Sequence, residues 1–143
     1  MLSNNPQVKS FLQSPYWAEF QRSLGREVYH IDSDCIQARA YEMPMRLGLC
    51  QLYVPYGPEL DNHDLGKCGR DPIRGFIEWL EKSARNIGAF AVIVEPRSDY
   101  IGQILIGHGF EHRQRSIQPS KTAILNLESS LSEIESQFHQ KLR

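Results

Sequence analysis

The chain has 143 residues, the ordinary size of one domain, and it is long enough to bury a core without disulfide or metal staples. Hydrophobic residues make up 41% and charged residues 23%, which excludes the disordered and membrane-spanning classes. A formal net charge of -1 argues against a surface generally coated by nucleic acid. The longest purely apolar run, residues 89–94, is too short to span a bilayer, so any membrane role would be peripheral.

The N-terminal third predicts one helix followed by strands. Ser14-Pro15 opens the helix, because Pro at the first helical position sacrifices no hydrogen bond, and Leu24-Gly25 ends it. Val28 to Ile31 is a short strand candidate. Apolar and polar residues alternate from Ile36 to Met43, and a second strand candidate runs from Leu47 to Val54. These last two segments together predict an antiparallel hairpin.

A polar stretch, residues 55–70, precedes the strongest helix in the sequence. Asp71 is its expected N-cap, Pro72 takes the first turn, and an apolar face repeats at helical spacing as far as Gly88. Residues 89–94, AFAVIV, are apolar at every position, as expected of a central strand covered on both faces. The next predicted elements are a helix from Asp99 to His108, a strand from Phe110 to Gln118 and a strand from Thr122 to Leu127.

The C-terminal segment predicts a helix with a clear start and no stop. Ser130 with Glu133 three residues later is a capping-box signature. Apolar residues follow at helical spacing as far as Leu142, with no Gly, Asn or Pro to end the helix. We therefore expect a single domain over residues 1–143, cut within a helix that covers about residues 129–143.

Three cysteines, Cys35, Cys50 and Cys68, form no C-x-x-C pair, so the sequence indicates neither a disulfide framework nor a zinc site. A reducing cytoplasm fits best. Asp61, His63, Asp64 and Cys68 have the spacing of no standard metal motif, and no metal is expected.

Glu95 is the sharpest catalytic candidate from the residues alone. It follows the apolar run, so its carboxylate is expected at the carboxyl edge of the sheet, where open α/β folds place ligands. A desolvated carboxylate at a strand end can act as a general base. The alternative is a structural role, in which Glu95 caps a loop and pairs with Arg97.

Arg97 could also join a basic patch for RNA or a pyrophosphate, although such residues usually form a solvated strand face. The other members of that patch would be His112, Arg113, Arg115 and Lys121.

Four segments, in this order, are similar to the Fem-type (FemX/FemAB) aminoacyltransferases that form peptidoglycan bridges. They are Phe11 to Gly25 (FLQSPYWAEFQRSLG), Tyr53 to Pro58 (YVPYGP), Ala89 to Pro96 (AFAVIVEP) and Ser116 to Arg143, with its Ile-Gln-Pro and Phe-His-Gln-Lys-x-Arg. The resemblance covers nearly the whole chain but less than half of a typical family member, because those proteins continue into a second, similar domain.

The resemblance implies an α/β fold of the GNAT N-acyltransferase type, with a mixed, mostly antiparallel sheet and helices on both faces. It implies an N-terminal lobe of an enzyme that moves an amino acid from a charged tRNA to the stem-peptide amine of a lipid-linked or UDP-linked peptidoglycan precursor. No cofactor is implied, and the expected location is the cytoplasm, at or near the inner face of the membrane. Two alternatives remain open: a stand-alone small-molecule N-acyltransferase and a non-catalytic binding lobe.

The resemblance also implies site residues. An acidic residue before Pro, here Glu95, is the expected catalytic group, and the Tyr53 to Pro58 loop, with Tyr56 and Gly57, lies beside the substrate groove. Gln21 occupies the position of a family Lys associated with precursor phosphates, and Arg22 is its charged neighbour.

Coenzyme A is disfavoured, because Arg97 to Gly102, RSDYIG, does not fit the Q/R-x-x-G-x-G/A pattern that cradles its pyrophosphate in related acetyltransferases.

Overall fold

The structure is a computed structural model, and it describes residues 10–33, 35–60, 71–119 and 128–138. Single 3-10 turns lie at Phe11–Gln13 and Arg46–Gly48. The elements of the described residues, in chain order, are α1 (Pro15–Ser23), β1 (Val28–Asp32), β2 (Ile36–Pro44), β3 (Cys50–Pro55), β4 (Glu59–Leu60), α2 (Pro72–Asn86), β5 (Ala91–Glu95), α3 (Asp99–Gly107) and α4 (Leu131–Gln137).

The strands form one mixed, mostly antiparallel sheet, as predicted. Its order is β1-β2-β3-β5, and the short β4 pairs with β2. The β1–β2 and β2–β3 pairs are antiparallel, which confirms the predicted hairpin, whereas β3 and β5 are parallel. The parallel pair matters for function, because it brings the carboxyl ends of two strands to the same edge of the sheet.

Helices cover both faces of this sheet, again as predicted. On one face the alternating residues Ala38, Ala40, Leu52 and Val54 pack in a buried core with residues of α2 and α3, including Phe76. Tyr41 and Tyr53, which are opposite each other in the β2–β3 register, belong to the other face because strand side chains alternate. That second face carries α1, which contacts β1 and β2.

The predicted helix starts are confirmed by their caps. The Ser14 side chain accepts a hydrogen bond from the Trp17 backbone N–H, and Asp71 accepts one from the Ile73 N–H at 3.0 Å. Each cap is followed by a Pro in the first turn, where the missing N–H costs nothing. In the C-terminal helix, Ser130 and Glu133 form the complete capping box.

One strand prediction is wrong and another is tested only in part. All five residues of β5 are half-buried rather than fully covered, and β5 lies at the end of the sheet order as far as the described residues define it. Residues 110–118 form no strand, because nearly all of them are exposed and no neighbouring strand among the described residues pairs with them. The predicted strand from Thr122 to Leu127 lies outside the described residues.

The C-terminal helix is shorter than predicted. It ends at Gln137, since Phe138 takes the extended values φ -78 and ψ 147 and so cannot continue the turn. Leu142 lies outside the described residues.

The cysteine prediction is also corrected. Cys35 is disulfide-bonded, whereas Cys50 is buried and free. An odd number of cysteines therefore did not exclude a disulfide.

Candidate active site

Glu95 and Tyr53 meet at the carboxyl ends of the parallel strands. Glu95 is the last residue of β5 and pairs in register with Pro55, two residues after Tyr53. The Tyr53 hydroxyl donates to Glu95 Oε2 at 2.5 Å. The strand-end position predicted for this carboxylate is therefore the one it occupies.

The same carboxylate holds a distant segment of the chain. The Ile117 backbone N–H donates to Glu95 Oε1, and the Gln118 N–H donates to Oε2 at 3.1 Å. Three donors thus converge on one side chain, and two of them belong to a segment without helix or strand hydrogen bonds of its own. In this arrangement Glu95 is a loop anchor, which is close to the structural role that the sequence left open, with residues 117–118 as the anchored loop.

Burial, and then the hydrogen bond to Glu95, raise the pKa of the Tyr53 phenol above its ordinary value. Both causes disfavour the phenolate, because it would lose hydration and face a carboxylate. Tyr53 therefore remains a hydrogen-bond donor throughout the physiological pH range.

A pocket of about 150 Å³ lies beside this pair, on the face of the sheet that carries α1. Its walls are mainly aromatic and aliphatic, and four residues with amide or charged side chains, Gln21, Arg26, Glu42 and Gln118, also line it. The residues around it are Leu12, Trp17, Gln21, Arg26, Tyr41, Glu42, Met43, Tyr53, Pro55, Ile117 and Gln118. A concave site of this composition is the usual form of a small-ligand pocket.

Of the two predicted residues on α1, Gln21 lines the pocket and Arg22 does not. Gln21 is 3% exposed, and its Oε1 accepts a hydrogen bond from Arg26 Nη1 at 2.6 Å. Arg22 is exposed and stands one residue further around the helix. The charged neighbour of Gln21 is therefore Arg26, which the sequence reasoning missed.

Arg26 reaches Gln21 through the turn that ends α1. The Gly25 N–H donates to Arg22 O and the Arg26 N–H donates to Gln21 O, the two bonds of a Schellman motif. Gly25 can take the φ of +76 that this motif requires. The sequence shows Leu24-Gly25 as the end of the helix, but it does not show that the chain reverses there and places Arg26 beside Gln21.

The other predicted substrate-binding residues do not line the pocket. Tyr56 has a φ of +51, and its hydroxyl donates to Pro119 O at 3.4 Å. At Gly57 an added Cβ would come within 2.9 Å of Val54 Cγ1, so close packing against the strand requires this glycine. Arg97 is exposed, just before α3.

Gln13 is a second residue that the sequence reasoning missed. It is 5% exposed, and its amide donates to Pro55 O at 2.6 Å and to Arg39 O at 3.0 Å. Its Oε1 accepts from the Arg39 N–H at 2.6 Å. These bonds fix the segment before α1 against β2 and the end of β3, where the pocket begins. Nothing in the local sequence distinguishes Gln13 from an exposed glutamine.

No protein-family model and no curated protein matches this chain. Two solved structures resemble it. An acetyltransferase from Trypanosoma brucei has a TM-score of 0.55 and 18% sequence identity, covering 74% of this chain and 76% of that one. A ribosomal-protein-alanine N-acetyltransferase from Brucella melitensis biovar Abortus has a TM-score of 0.51 and 17% identity, covering 75% of this chain and 79% of that one.

These likenesses confirm the predicted GNAT-type fold. At such low identity they show the fold alone, and neither structure points to the Fem-type family. Within the described ranges, no three His, Cys, Asp or Glu side chains are grouped as a metal site, and none of the helices has the length and apolarity to cross a bilayer. The four residues Asp61, His63, Asp64 and Cys68 lie outside those ranges.

Proposed function

We propose that this chain is an N-acyltransferase lobe whose reaction takes place beside Tyr53 and Glu95. The observation that carries the proposal is their hydrogen-bonded pairing at the carboxyl ends of parallel strands, next to a pocket that Tyr53 itself lines. Ligands of open α/β sheets bind at this edge. The GNAT-type fold, which two acetyltransferases share, supports the same reaction class.

The specific reaction we propose is the Fem-type one, transfer of an amino acid from aminoacyl-tRNA to the stem-peptide amine of a peptidoglycan precursor. Its support is the meeting of all four Fem-like segments at one place. Gln21 and Tyr53 line the pocket, Glu95 bonds Tyr53, and Ile117 and Gln118 bond Glu95. In this proposal a second lobe would complete the substrate groove, and the protein would bind the precursor at the cytoplasmic face of the membrane.

The chemistry is aminolysis of an ester. The acceptor nitrogen forms a bond to the carbonyl carbon, the bond from that carbon to the ribose oxygen breaks, and a proton passes from the nitrogen to the departing oxygen. An alkyl amine with an ordinary pKa of about 10.4 must first lose a proton, and the oxyanion must be stabilised. Glu95 would accept or orient that proton, and Tyr53 would remain a donor.

A second candidate is a stand-alone small-molecule N-acyltransferase that uses an acyl-CoA. Its specific support is coverage, because the matched region spans 76% and 79% of the two acetyltransferases. The sequence between β5 and α3 argues against coenzyme A, since the residues before α3 lack the expected glycines and the first helical turn carries Asp99.

Binding and transfer assays on the protein in its full natural length separate the candidates. One series uses charged tRNA with a UDP-linked or lipid-linked muropeptide, and the other uses acetyl-CoA with amines. We expect transfer in the first series and no CoA-dependent increase in melting temperature in the second. Acyl-CoA binding with CoA-dependent transfer would replace the Fem-type proposal, and the absence of transfer in both series would refute the acyltransferase proposal.

Two variants test the site itself. Glu95→Gln should lower the transfer rate by about 10²–10⁴-fold if the carboxylate acts on the proton, because general acid–base groups contribute that much. Glu81→Gln is the matched control, because Glu81 pairs with Arg85 on the exposed surface of α2. Equal transfer rates for the Glu95→Gln and Glu81→Gln variants would show that Glu95 takes no part in the reaction.

A further inference from the structure

Arg26 is a cation in the pocket, and no described residue is its anionic partner. It is half-buried and lines the pocket, and its one hydrogen-bond partner among the described residues is the neutral amide of Gln21. No carboxylate of those residues lies within the 4.0 Å of an ion pair with it. Partial burial of a guanidinium without a counter-ion costs free energy, so this arrangement favours the binding of an anion.

Glu42, the acidic residue among those that line the pocket, does not fill that role. Glu42 lies between Tyr41 and Met43 on β2, so strand alternation directs its side chain to the face opposite theirs. Its Oε2 accepts a hydrogen bond from the Glu27 backbone N–H at 3.1 Å. The carboxylate is thus engaged at the β1–β2 edge rather than with Arg26.

The guanidinium of Arg26 is held in place by contacts within the protein. Gln21 is 3% exposed, and its Oε1 accepts a hydrogen bond from Arg26 Nη1 at 2.6 Å. The Schellman turn also joins the two residues through a backbone hydrogen bond from the Arg26 N–H to Gln21 O. One guanidinium nitrogen is committed to Gln21, which leaves other N–H groups for a ligand. Apolar walls such as Trp17 and Met43 strengthen the interaction, because a charge–charge contact weakens with solvent exposure.

We propose that Arg26, oriented by Gln21, binds an anionic oxygen group, a phosphate or a carboxylate, of the acceptor substrate. The assignment to the acceptor rests on the proposed function, whereas the binding itself does not. A cavity of about 150 Å³ is the size that accommodates a benzene molecule, so it takes the anionic group and a few attached atoms rather than a whole nucleotide.

Isothermal titration of the full-length protein tests the site with three probes: inorganic pyrophosphate, inorganic phosphate and succinate. We expect at least one probe to bind, and the tightest one identifies the anion as phosphate or carboxylate. Arg26→Gln should weaken that probe by roughly 10- to 100-fold, since a hydrogen bond to a charged group contributes about 1.5–3 kcal/mol. Raising the salt concentration should weaken binding to the unmodified protein and change the variant much less.

Two further variants make the test specific. Gln21→Leu keeps the charge but removes its support, so we expect a smaller loss than for Arg26→Gln. Arg46→Gln removes an exposed arginine at the β2–β3 turn and should change nothing. Equal affinities for Arg26→Gln and the unmodified protein, an equal loss with Arg46→Gln, or no binding of any probe would each overturn the proposal.

The result is separable from the proposed function. If transfer occurs but Arg26→Gln leaves the acceptor KM unchanged, the assignment of the anion to the acceptor is wrong and the acyltransferase proposal stands. If the probes bind through Arg26 but no acyl transfer is found, the anion site stands and the reaction is wrong.

Discussion

The hydrogen bond between Tyr53 and Glu95 should contribute measurably to folding stability. Tyr53 is 5% exposed, and its hydroxyl donates to an acceptor that also holds Ile117 and Gln118. A hydrogen bond to a charged group contributes about 1.5–3 kcal/mol, and a buried group left without a partner costs a similar amount. We therefore expect Tyr53→Phe to lower the free energy of unfolding by about 2 kcal/mol, or roughly 4–8 °C in melting temperature.

A double-mutant cycle isolates this contact. Tyr53→Phe, Glu95→Gln and the double variant are unfolded in urea, with tryptophan fluorescence as the signal. The two losses should fail to add by at least about 1 kcal/mol, because either substitution alone already disrupts the same bond. Tyr16→Phe is the matched control, since Tyr16 is 77% exposed and should be neutral. Additive losses within about 0.5 kcal/mol would refute the reasoning, because residues that do not interact behave in that way.

Two other predictions concern the same end of the sheet. Gln13→Ala removes three hydrogen bonds and leaves buried backbone groups of Arg39 and Pro55 unpaired, so unfolding should become easier by about 3–5 kcal/mol; a loss below 1 kcal/mol in urea unfolding would contradict this. Burial raises the pKa of Tyr41 to about 12, so its contribution to stability is complete below pH of about 10 and is lost as pH rises towards 12. Tyr41→Phe should flatten that alkaline decline, and an unchanged pH profile would contradict the assignment.

Local signals were sufficient for much of the fold. Ser14-Pro15 and Asp71-Pro72 fixed the starts of α1 and α2, because each cap bonds within its own first turn. Alternation in β2 gave the hairpin and the buried face. These inferences needed only neighbours along the chain.

The errors concern contacts between distant residues. An apolar strand such as β5 has the sequence pattern of a central strand whether or not other elements pack on both of its faces. The local sequence does not specify those elements. Residues 110–118 are nearly all polar, and their backbone hydrogen bonds at Ile117 and Gln118 go to Glu95, 22 and 23 residues earlier. Arg26 and Gln13 were missed for the same reason, since their partners are defined by a chain reversal and by a strand end.

The sequence predicted that Glu95 lies at a strand end, but it did not predict the three hydrogen bonds that its carboxylate accepts. Those bonds determine which of its two oxygens can receive a substrate proton. A general base needs a lone pair free to meet the substrate proton, whereas Glu95 accepts one hydrogen bond at Oε1 and two at Oε2. Oε1 is therefore the oxygen with room for an incoming amine. An amine that approaches Oε1 also meets residues 117–118, which the same carboxylate holds against the pocket. In the proposed reaction, proton transfer and formation of the pocket wall would depend on one side chain, so substitution of Glu95 should change both acceptor binding and the transfer rate.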